Sequence, residues 1–554
     1  MEVPTIRKNN APYIAEIDLK NGETLRFEPG QVVLLVGPNN AGKTFFLKAL
    51  RALLYGEAPD RKDYRDSVVD GLKIDWLVRG AEGEALLINQ LEGFRHVSDQ
   101  FFEIPSKEPL VGNNLVSASD ASAALQNPSS LGSFAGLFVS FDDVGDRLEE
   151  TTPQRQARPR ERQSLVQRAW DNPDVFPDIA RGFSRIFAAE ISYFNPGWGE
   201  IGLLLAPPLE TASTLSEPIS IETKNYMEAS PKLWEQGYGM RSVAGLLMRA
   251  CAGDSAILLV DEPEACLHPP QASSLGTVLA EVAKQENKQI FVATHDRNFI
   301  AALVRASETP LRILKLERRE QIPKVLSLDA ASIRAAQYAS EIRFTPFLDS
   351  LFADFTILVE NERDAVFYDE ALRVFAARRE EPEIRSLPER VLFLSGSGFS
   401  RIPKLARSLR VLDAEVKVIC DFDSIFNKGF RNLLETMAEQ GTVQTIVGEI
   451  ESLRALDKKL AKGQGEDISA KAWSKNHGMF SPSEEFNSAA EQVLTSLDRI
   501  GIHVVDVGEL ENLFTPHPGR QKGDERLERA MKSGDYNGEN AQRQVRRLVE
   551  NMPQ

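Results

Sequence analysis

Val32–Thr44 reads VVLLVGPNNAGKT, five apolar residues that break into a Gly/Asn-rich turn and end in Gly-Lys-Thr. The turn, Gly37-Pro38-Asn39-Asn40-Ala41-Gly42-Lys43-Thr44, fits G-x-x-x-x-G-K-[ST] in full. Its glycines let backbone N–H groups curl around phosphate oxygens, Lys43 can reach the β- and γ-phosphates, and Thr44 can ligate Mg²⁺. The next residues, KTFFLKALRALLYG, read as a helix whose positive N-terminal end faces the phosphates. The plain alternative is a strand–turn–helix corner, but the context on both sides is that of a phosphate cradle. Gly37, Asn39, Asn40, Gly42, Lys43 and Thr44 are therefore the candidate nucleotide-binding residues.

Two further strands extend the site. ILLVDEPEACLHP, from Ile257, ends a buried strand with Asp261, which can hold Mg²⁺ through water. Glu262, beside it, can orient or deprotonate an attacking water. Two adjacent carboxylates after an apolar run are costly unless a metal or solvent meets them. FVATHD places His295 at the end of the next strand, where it could sense the γ-phosphate. Apolar runs of this kind suit a parallel sheet covered on both faces.

The chain has 554 residues, a length for two to four domains at roughly 100–200 residues each. Its net charge, 65 − 81 = −16, argues against non-specific coating of nucleic acid but leaves room for a local basic groove. Cys251, Cys266 and Cys420 are scattered without a CxxC pair, which argues against a zinc site or a disulfide framework and fits a reducing cytoplasm. MEVPTIRKNNAPYI lacks the apolar core of a signal peptide, and no run reaches the roughly 18 apolar residues of a membrane span. The expectation is a cytoplasmic protein with no membrane partner.

Residues 60–230 are less regular, with Pro, Ser and Asn clustered at NPSSLGS and ETTPQRQARPRERQ, and read as insertions in a larger ATPase domain. The basic piece Arg155–Arg168 is either a solvated helix face or the lining of a nucleic-acid path. Residues 330–350 read as a helical link. A second strand–helix alternation runs from FADFTILVENERDAVFYDEAL to IHVVDVGELENLF, with a polar helical insertion at about 440–490. The domain expectation is 1–345 and 346–554.

The second alternation carries its own acids. ILVENERD ends a strand with Glu360, and Asp364 follows at the start of a helix. VKVICDFDS ends another with Asp421 and Asp423, which face the same side if the strand runs through both. Carboxylates aimed together repel unless a cation sits between them, and an all-oxygen set suits Mg²⁺. The bland reading is that acids cap the exposed ends of parallel strands. Arg401, Lys404, Arg407 and Arg410 recur every three residues, as a stripe for phosphates or as an ordinary solvent face.

GPNNAGKT, LLVDEPEACLHP and ATHD resemble the ATP-binding-cassette ATPases of the SMC, RecF and OLD (overcoming lysogenization defect) type. That family has a signature motif before the strand that ends in the Asp261–Glu262 pair, and EQGYGMRS, Glu235–Ser242, is the candidate here. It departs from the usual Ser-Gly-Gly pattern but keeps Gly237 and Gly239. The resemblance implies ATP held between two chains, hence a homodimer or higher homo-oligomer; Gln90 is the candidate for the glutamine loop. Strand-Glu, the turn SGSG with Gly396 and Gly398, and strand-Asp-x-Asp resemble the Toprim domain. A cassette ATPase followed by Toprim is the OLD arrangement. The fold implied is α/β: a cassette-type P-loop ATPase domain with helical and irregular insertions, followed by a Rossmann-like Toprim domain.

The resemblance implies ATP and Mg²⁺ (or Mn²⁺) as cofactors and two-metal cleavage of nucleic acid, DNA first, in bacterial anti-phage defence. Glu360 would be a metal ligand or general acid/base, and Asp364, Asp421 and Asp423 metal ligands. Glu511, with Glu509 its rival, and Lys522 would complete the site. Asn361 stands where the family has glycine after the first Glu, and asparagine tolerates a left-handed turn. Two alternatives stay open: the same architecture cutting RNA such as tRNA, or an ATPase that senses a partner protein or remodels DNA, with a non-catalytic Toprim scaffold. A defence-system partner protein or RNA fits any of these. A transporter's ATPase subunit would be shorter and lack the second unit.

Overall fold

The computed structural model describes residues 10–57, 67–92, 95–98, 101–103, 115–156, 164–195, 199–208, 220–306, 308–317, 324–339, 342, 345–377, 390–463, 477–514 and 523–550. The chain divides into two compact units, Met1–Ala331 and Ser332–Gln554.

The first unit is built on a six-stranded sheet. Its order is Lys324–Leu328, Leu311–Glu317, Val32–Val36, Gln289–Ala293, Ile257–Asp261, Val139–Asp142. All neighbours run parallel except Lys324–Leu328, which closes one edge antiparallel. Val33, Leu34, Leu258, Leu259, Phe291 and Val292 have no exposed surface, as expected of strands covered on both faces. The helix Lys43–Leu54 covers one face with Phe46, Leu47 and Leu50. Thr24–Arg26, Pro12–Leu19 and Val69–Trp76 form a separate antiparallel sheet on the same core.

Register places the site. Ala293 pairs with both Leu35 and Asp261, so three strands end in line. Their following residues, Gly37 onward, Thr294–His295 and Glu262, therefore share one edge, the carboxyl end where open α/β sheets hold ligands. The stretch 60–230 is more than insertion: Val69–Trp76 and Val139–Asp142 from it are strands of the two sheets.

The second unit holds a four-stranded parallel sheet in the order Val391–Ser395, Phe355–Val359, Val416–Cys420, Ile502–Val504. Phe367, Tyr368, Ala371 and Phe375 on the helix Glu362–Ala377 pack with Ile357, Val359 and Ile419. The helix Glu539–Glu550 adds Val545 and Leu548 to that core. The polar segment near 440–490 contains the helices Gln440–Gly463 and Glu484–Arg499. Among the described residues no helix is long and apolar enough to cross a membrane.

Candidate functional site

The phosphate turn needs backbone that few residues adopt. Gly37 has φ +140° and Gly42 has φ +95°, and Asn40, at φ +65°, uses the tolerance of asparagine for the left-handed region. A Cβ on Gly37 would also collide with the Leu316 carbonyl. Gly42 caps the helix Lys43–Leu54, which carries no acid in its first turn to compete with a phosphate. Asn39 and Asn40 are exposed. Lys43 is buried, and its Nζ donates to the Gly37 and Pro38 carbonyls at 2.8 and 3.0 Å, spanning the loop.

The strand Ile257–Asp261 meets this loop directly. Thr44 Oγ1 donates to Asp261 Oδ2 at 2.9 Å, linking the two residues expected to share a metal. Burial raises the Asp261 carboxyl, the Thr44 hydroxyl offsets part of that, and neighbouring Glu262 adds to it. Glu262 is half-exposed and adopts φ +47°, a left-handed conformation rare for glutamate. Its N–H donates to the Ala293 carbonyl at 2.9 Å. His295 Nδ1 lies 3.3 Å from Glu262 Oε1 and 3.5 Å from Glu264 Oε1.

Two features of this edge were not singled out from sequence. Glu264 is buried, and its Oε1 accepts from Thr294 Oγ1 at 2.7 Å and from the His295 N–H at 3.1 Å. It thereby fixes the backbone that presents His295. Its place two residues after Glu262 was the available signal. Arg147, fully buried, donates from Nη2 to the Asp261 and Glu262 carbonyls at 2.7 and 3.1 Å. Nothing in GDRLEE marks it.

Gly237 caps the helix Tyr238–Ala252, and Tyr238 is 63% exposed. At Gly239 a Cβ would stand 2.6 Å from the Cys266 carbonyl, so this turn packs closely on the segment after the strand Ile257–Asp261. Gln90 is buried in the helix Gly80–Leu91 and donates to the Asn10 carbonyl at 3.2 Å, so it is held in the interior rather than in a loop.

In the second unit, Val359 pairs with both Ser395 and Ile419, so Glu360, Gly396 and Cys420–Asp421 share one sheet edge. Gly396 donates to the Val359 carbonyl at 2.9 Å and Gly398, at φ +113°, to the Glu360 carbonyl at 2.7 Å. Glu360 Oε1 accepts from the Asp421 N–H at 3.1 Å and from Ser424 Oγ at 2.5 Å. Asp364 Oδ2 accepts from the Asn361 N–H at 2.8 Å. Asn361 is not left-handed, because the residue leads into the helix Glu362–Ala377 and is capped there by Asp364.

Asp421 and Asp423 also depart from expectation. The strand stops at Cys420, so Asp421 and Asp423 belong to a 3₁₀ turn, Phe422–Phe426 with Asp421 at its cap, not to one strand face. The acids nevertheless feel one another. Burial raises the Asp421 carboxyl to about 9, helped by Glu360, Asp364, Asp423 and Glu509. Burial raises Asp364 to about 7; the Asn361 N–H opposes this, and Glu360 and Glu511 add to it. Glu511 Oε1 is paired with Arg363 Nη1 at 3.3 Å. Lys522 lies outside the described residues. Lys404, Arg407 and Arg410 are exposed on the helix Ile402–Arg410.

The donor set of Glu360, Asp364 and Asp421 suits a hard divalent cation in type and charge. Among the described residues, however, no three His, Cys, Asp or Glu side chains are already arranged as a group that could hold a metal ion. Glu360 and Asp364 are turned instead onto backbone N–H groups. These residues fit the cation in chemistry, and the carboxylates must turn to close on it.

Residues 115–301 match the family model described as "AAA domain, putative AbiEii toxin, Type IV TA system", and residues 11–100 match one described as "AAA domain". No curated protein matches the chain. Among solved structures, an Smc head bound to the C-winged-helix domain of ScpA is 17% identical, covers 57% of this chain and 98% of that one, with a TM-score of 0.33. An Smc head with an extended coiled coil, bound to the C-terminal domain of ScpA from Pyrococcus furiosus, is 15% identical, with 60% and 100% covered and a TM-score of 0.32. The SMC head domain from Thermotoga maritima is 13% identical, with 58% and 98% covered and a TM-score of 0.30. The AAA-domain matches and the phosphate turn joined to its acidic strand make the first unit a P-loop ATPase domain.

Proposed function

We propose that the chain is an ATP-regulated, Mg²⁺-dependent nuclease of the OLD type, with a Toprim domain in its second unit and DNA as substrate. In the first unit, Gly37 to Thr44 bind ATP. Glu262 takes the proton from the attacking water as its oxygen bonds the γ-phosphorus and ADP leaves. His295, 3.3 Å away, orients Glu262 and reports the γ-phosphate. Thr44 and Asp261 would hold the nucleotide's Mg²⁺. Gly237 and Gly239, with exposed Tyr238 between them, offer a second surface for ATP bound to another copy, which makes a homodimer the working assembly.

In the second unit, Glu360, Asp364, Asp421 and Asp423 would hold Mg²⁺, with Glu511 beside them. Bound there, Mg²⁺ would supply charge neutralisation at a phosphodiester. Glu360 would be a further ligand or move a proton, and Arg363 is paired with Glu511 at 3.3 Å. The observation that carries this reading is the shared sheet edge that gathers Glu360 and Asp421, with the Asp421 N–H on Glu360 Oε1 at 3.1 Å; burial and four surrounding acids push the Asp421 carboxyl up to about 9, a state that a cation would relieve. A defence role rests on the resemblance and on the toxin named for the matched family. The turning of Glu360 and Asp364 onto backbone N–H groups favours a second reading, in which the acids are a scaffold and the chain is an ATPase that senses or remodels a partner.

The test is to incubate the protein with supercoiled plasmid and with total tRNA, in Mg²⁺ or EDTA, with and without ATP, beside Asp421→Ala/Asp423→Ala. Mg²⁺-dependent nicking of plasmid that the variant loses supports the nuclease. Cutting of tRNA alone moves the substrate to RNA. ATP turnover with no cleavage of either supports the scaffold reading.

A further inference from the structure

The buried charges of the first unit form a chain that no motif predicts. Arg147 lies on the helix Val144–Glu150, just after the edge strand Val139–Asp142. Its Nη2 bonds both carbonyls of the Asp261–Glu262 pair. Its Nε stands 3.7 Å from Asp142 Oδ2, and Asp142 Oδ1 lies 2.9 Å from Arg249 Nε. Arg249 also reaches Glu150 Oε1 at 3.1 Å and the Phe141 carbonyl at 3.2 Å. Asp142 and Arg147 are entirely shielded from solvent.

Burying these charges is expensive, so what they hold matters. A Cβ on Gly245 would collide with the Arg147 carbonyl, so the helix Tyr238–Ala252 and the helix Val144–Glu150 lie in close contact. Arg241 adds to that clamp, bonding the Leu148 carbonyl at 3.0 Å. Arg147 is thus fixed from behind and directed forward onto a glutamate whose backbone is left-handed. Such a conformation persists only where its surroundings over-determine it. Among the described residues, the Glu262 backbone is restrained from outside its own turn by the Ala293 carbonyl, which accepts from its N–H, and by Arg147, which donates to its carbonyl.

We propose that Arg147 is a positioning residue for ATP hydrolysis, holding the Asp261–Glu262 backbone so that the Glu262 carboxylate faces the attacking water. Asp142, paired with Arg249 at 2.9 Å, faces Arg147 Nε at 3.7 Å and offsets its buried charge. The inference rests on Glu262 as the base, and the experiment separates the two claims.

ATP turnover, mant-ATP affinity and melting temperature would be measured for the full chain, Arg147→Lys, Glu262→Gln and the double variant Arg147→Lys/Glu262→Gln. Lysine keeps the charge but has a single nitrogen, so it cannot set one nitrogen on the two carbonyls and another towards Asp142, as Nη2 and Nε do. Arg147→Lys should lower kcat between about tenfold and a hundredfold, the scale of a small misplacement of a reacting group. Its nucleotide affinity should stay within about threefold, well short of the tenfold that ~1.4 kcal/mol represents. The double variant should be no slower than Glu262→Gln. Independent, multiplying losses would overturn the inference, as would wild-type turnover in Arg147→Lys or affinity falling as far as kcat. If Glu262→Gln turns over normally, the assignment of the base has failed instead, and this inference falls with it. Should Arg147→Lys not fold, the charge-neutral pair Asp142→Asn/Arg147→Gln carries the same test. If neither folds, Arg147 is a folding residue only and the inference is wrong.

Discussion

Asp421→Asn should make the metal-free protein more stable while destroying its proposed cation site. With its carboxyl pushed up to about 9, Asp421 carries a proton at pH 7.5 that an unfolded chain, with a carboxyl at 3.8, has released. Holding it across 7.5 − 3.8 = 3.7 pH units costs about 5 kcal/mol, at ~1.36 kcal/mol per unit. Asparagine has nearly the same shape and no proton to retain. Asp364, pushed up to about 7, takes part of the charge burden, and Asp421 is only partly buried. The gain is therefore ~2–5 kcal/mol, a rise of roughly 5–15 °C in melting temperature for a unit of this size. The sign fixes the pH window. The folded state binds the extra proton, so wild-type stability falls as pH climbs from about 4 towards about 9. The advantage of the Asp421→Asn variant grows through that window and disappears below it. Thermal melts in EDTA across the window measure this, and repeats in Mg²⁺ should stabilise the wild type and leave the variant unchanged. A variant that is less stable in EDTA at pH 7.5, or a gap that ignores pH, would refute the reasoning: Asp421 would then be an ordinary ionised acid at a strand end.

Four other outcomes follow from the same geometry. Lys43→Ala removes the amine that spans the Gly37 and Pro38 carbonyls, and mant-ATP titration should show affinity lowered about a hundredfold, the loss of a charge-assisted contact. Gly37→Ala meets both a φ of +140° and the Leu316 carbonyl, and should cost on the order of 1–3 kcal/mol, read as a lower melting temperature together with weaker ATP binding. Glu262→Gln should bind ATP normally and turn it over about 10²–10⁴-fold more slowly, measured by phosphate release. Mg²⁺ binding to the second unit should expel protons at pH 8, because Asp421 is protonated below about 9, so calorimetry in buffers of different ionisation enthalpy should differ and affinity should rise with pH.

What was legible in the sequence was what local chemistry dictates. The phosphate turn needs φ > 0 at Gly37, Asn40 and Gly42, and only a few residue types supply that, so the turn announces itself. Asp261 and His295 were legible because each ends a run of buried apolar residues, and the parallel register then brings those ends together. The same rule found Glu360 and Asp421. It failed at Asp423, because where a strand stops depends on its neighbours, and Ile502–Val504 pairs only as far as Cys420. It also failed for Val139–Asp142, four residues with no turn signal of their own, whose place in the sheet is decided by pairing with Ile257–Val260 over a long separation.

The least legible residues are those whose partners are backbone atoms far along the chain. Arg147 bonds carbonyls more than a hundred positions away, and a carbonyl has no side-chain identity to read. An arginine in GDRLEE reads as one more charge on a solvated helix, the base expectation for its type. Burial alone distinguishes it, and burial is a property of the assembled sheet. The two acid sites differ in the same way. At the ATP site, Thr44 and Asp261 are already in contact, and the loop lysine already occupies the cradle. At the second site the acids crowd at one edge but point to backbone donors. With burial and the neighbouring acids pushing the Asp421 carboxyl up to about 9, the second edge keeps a proton there at a cost in stability, and Asp421→Asn would remove that cost.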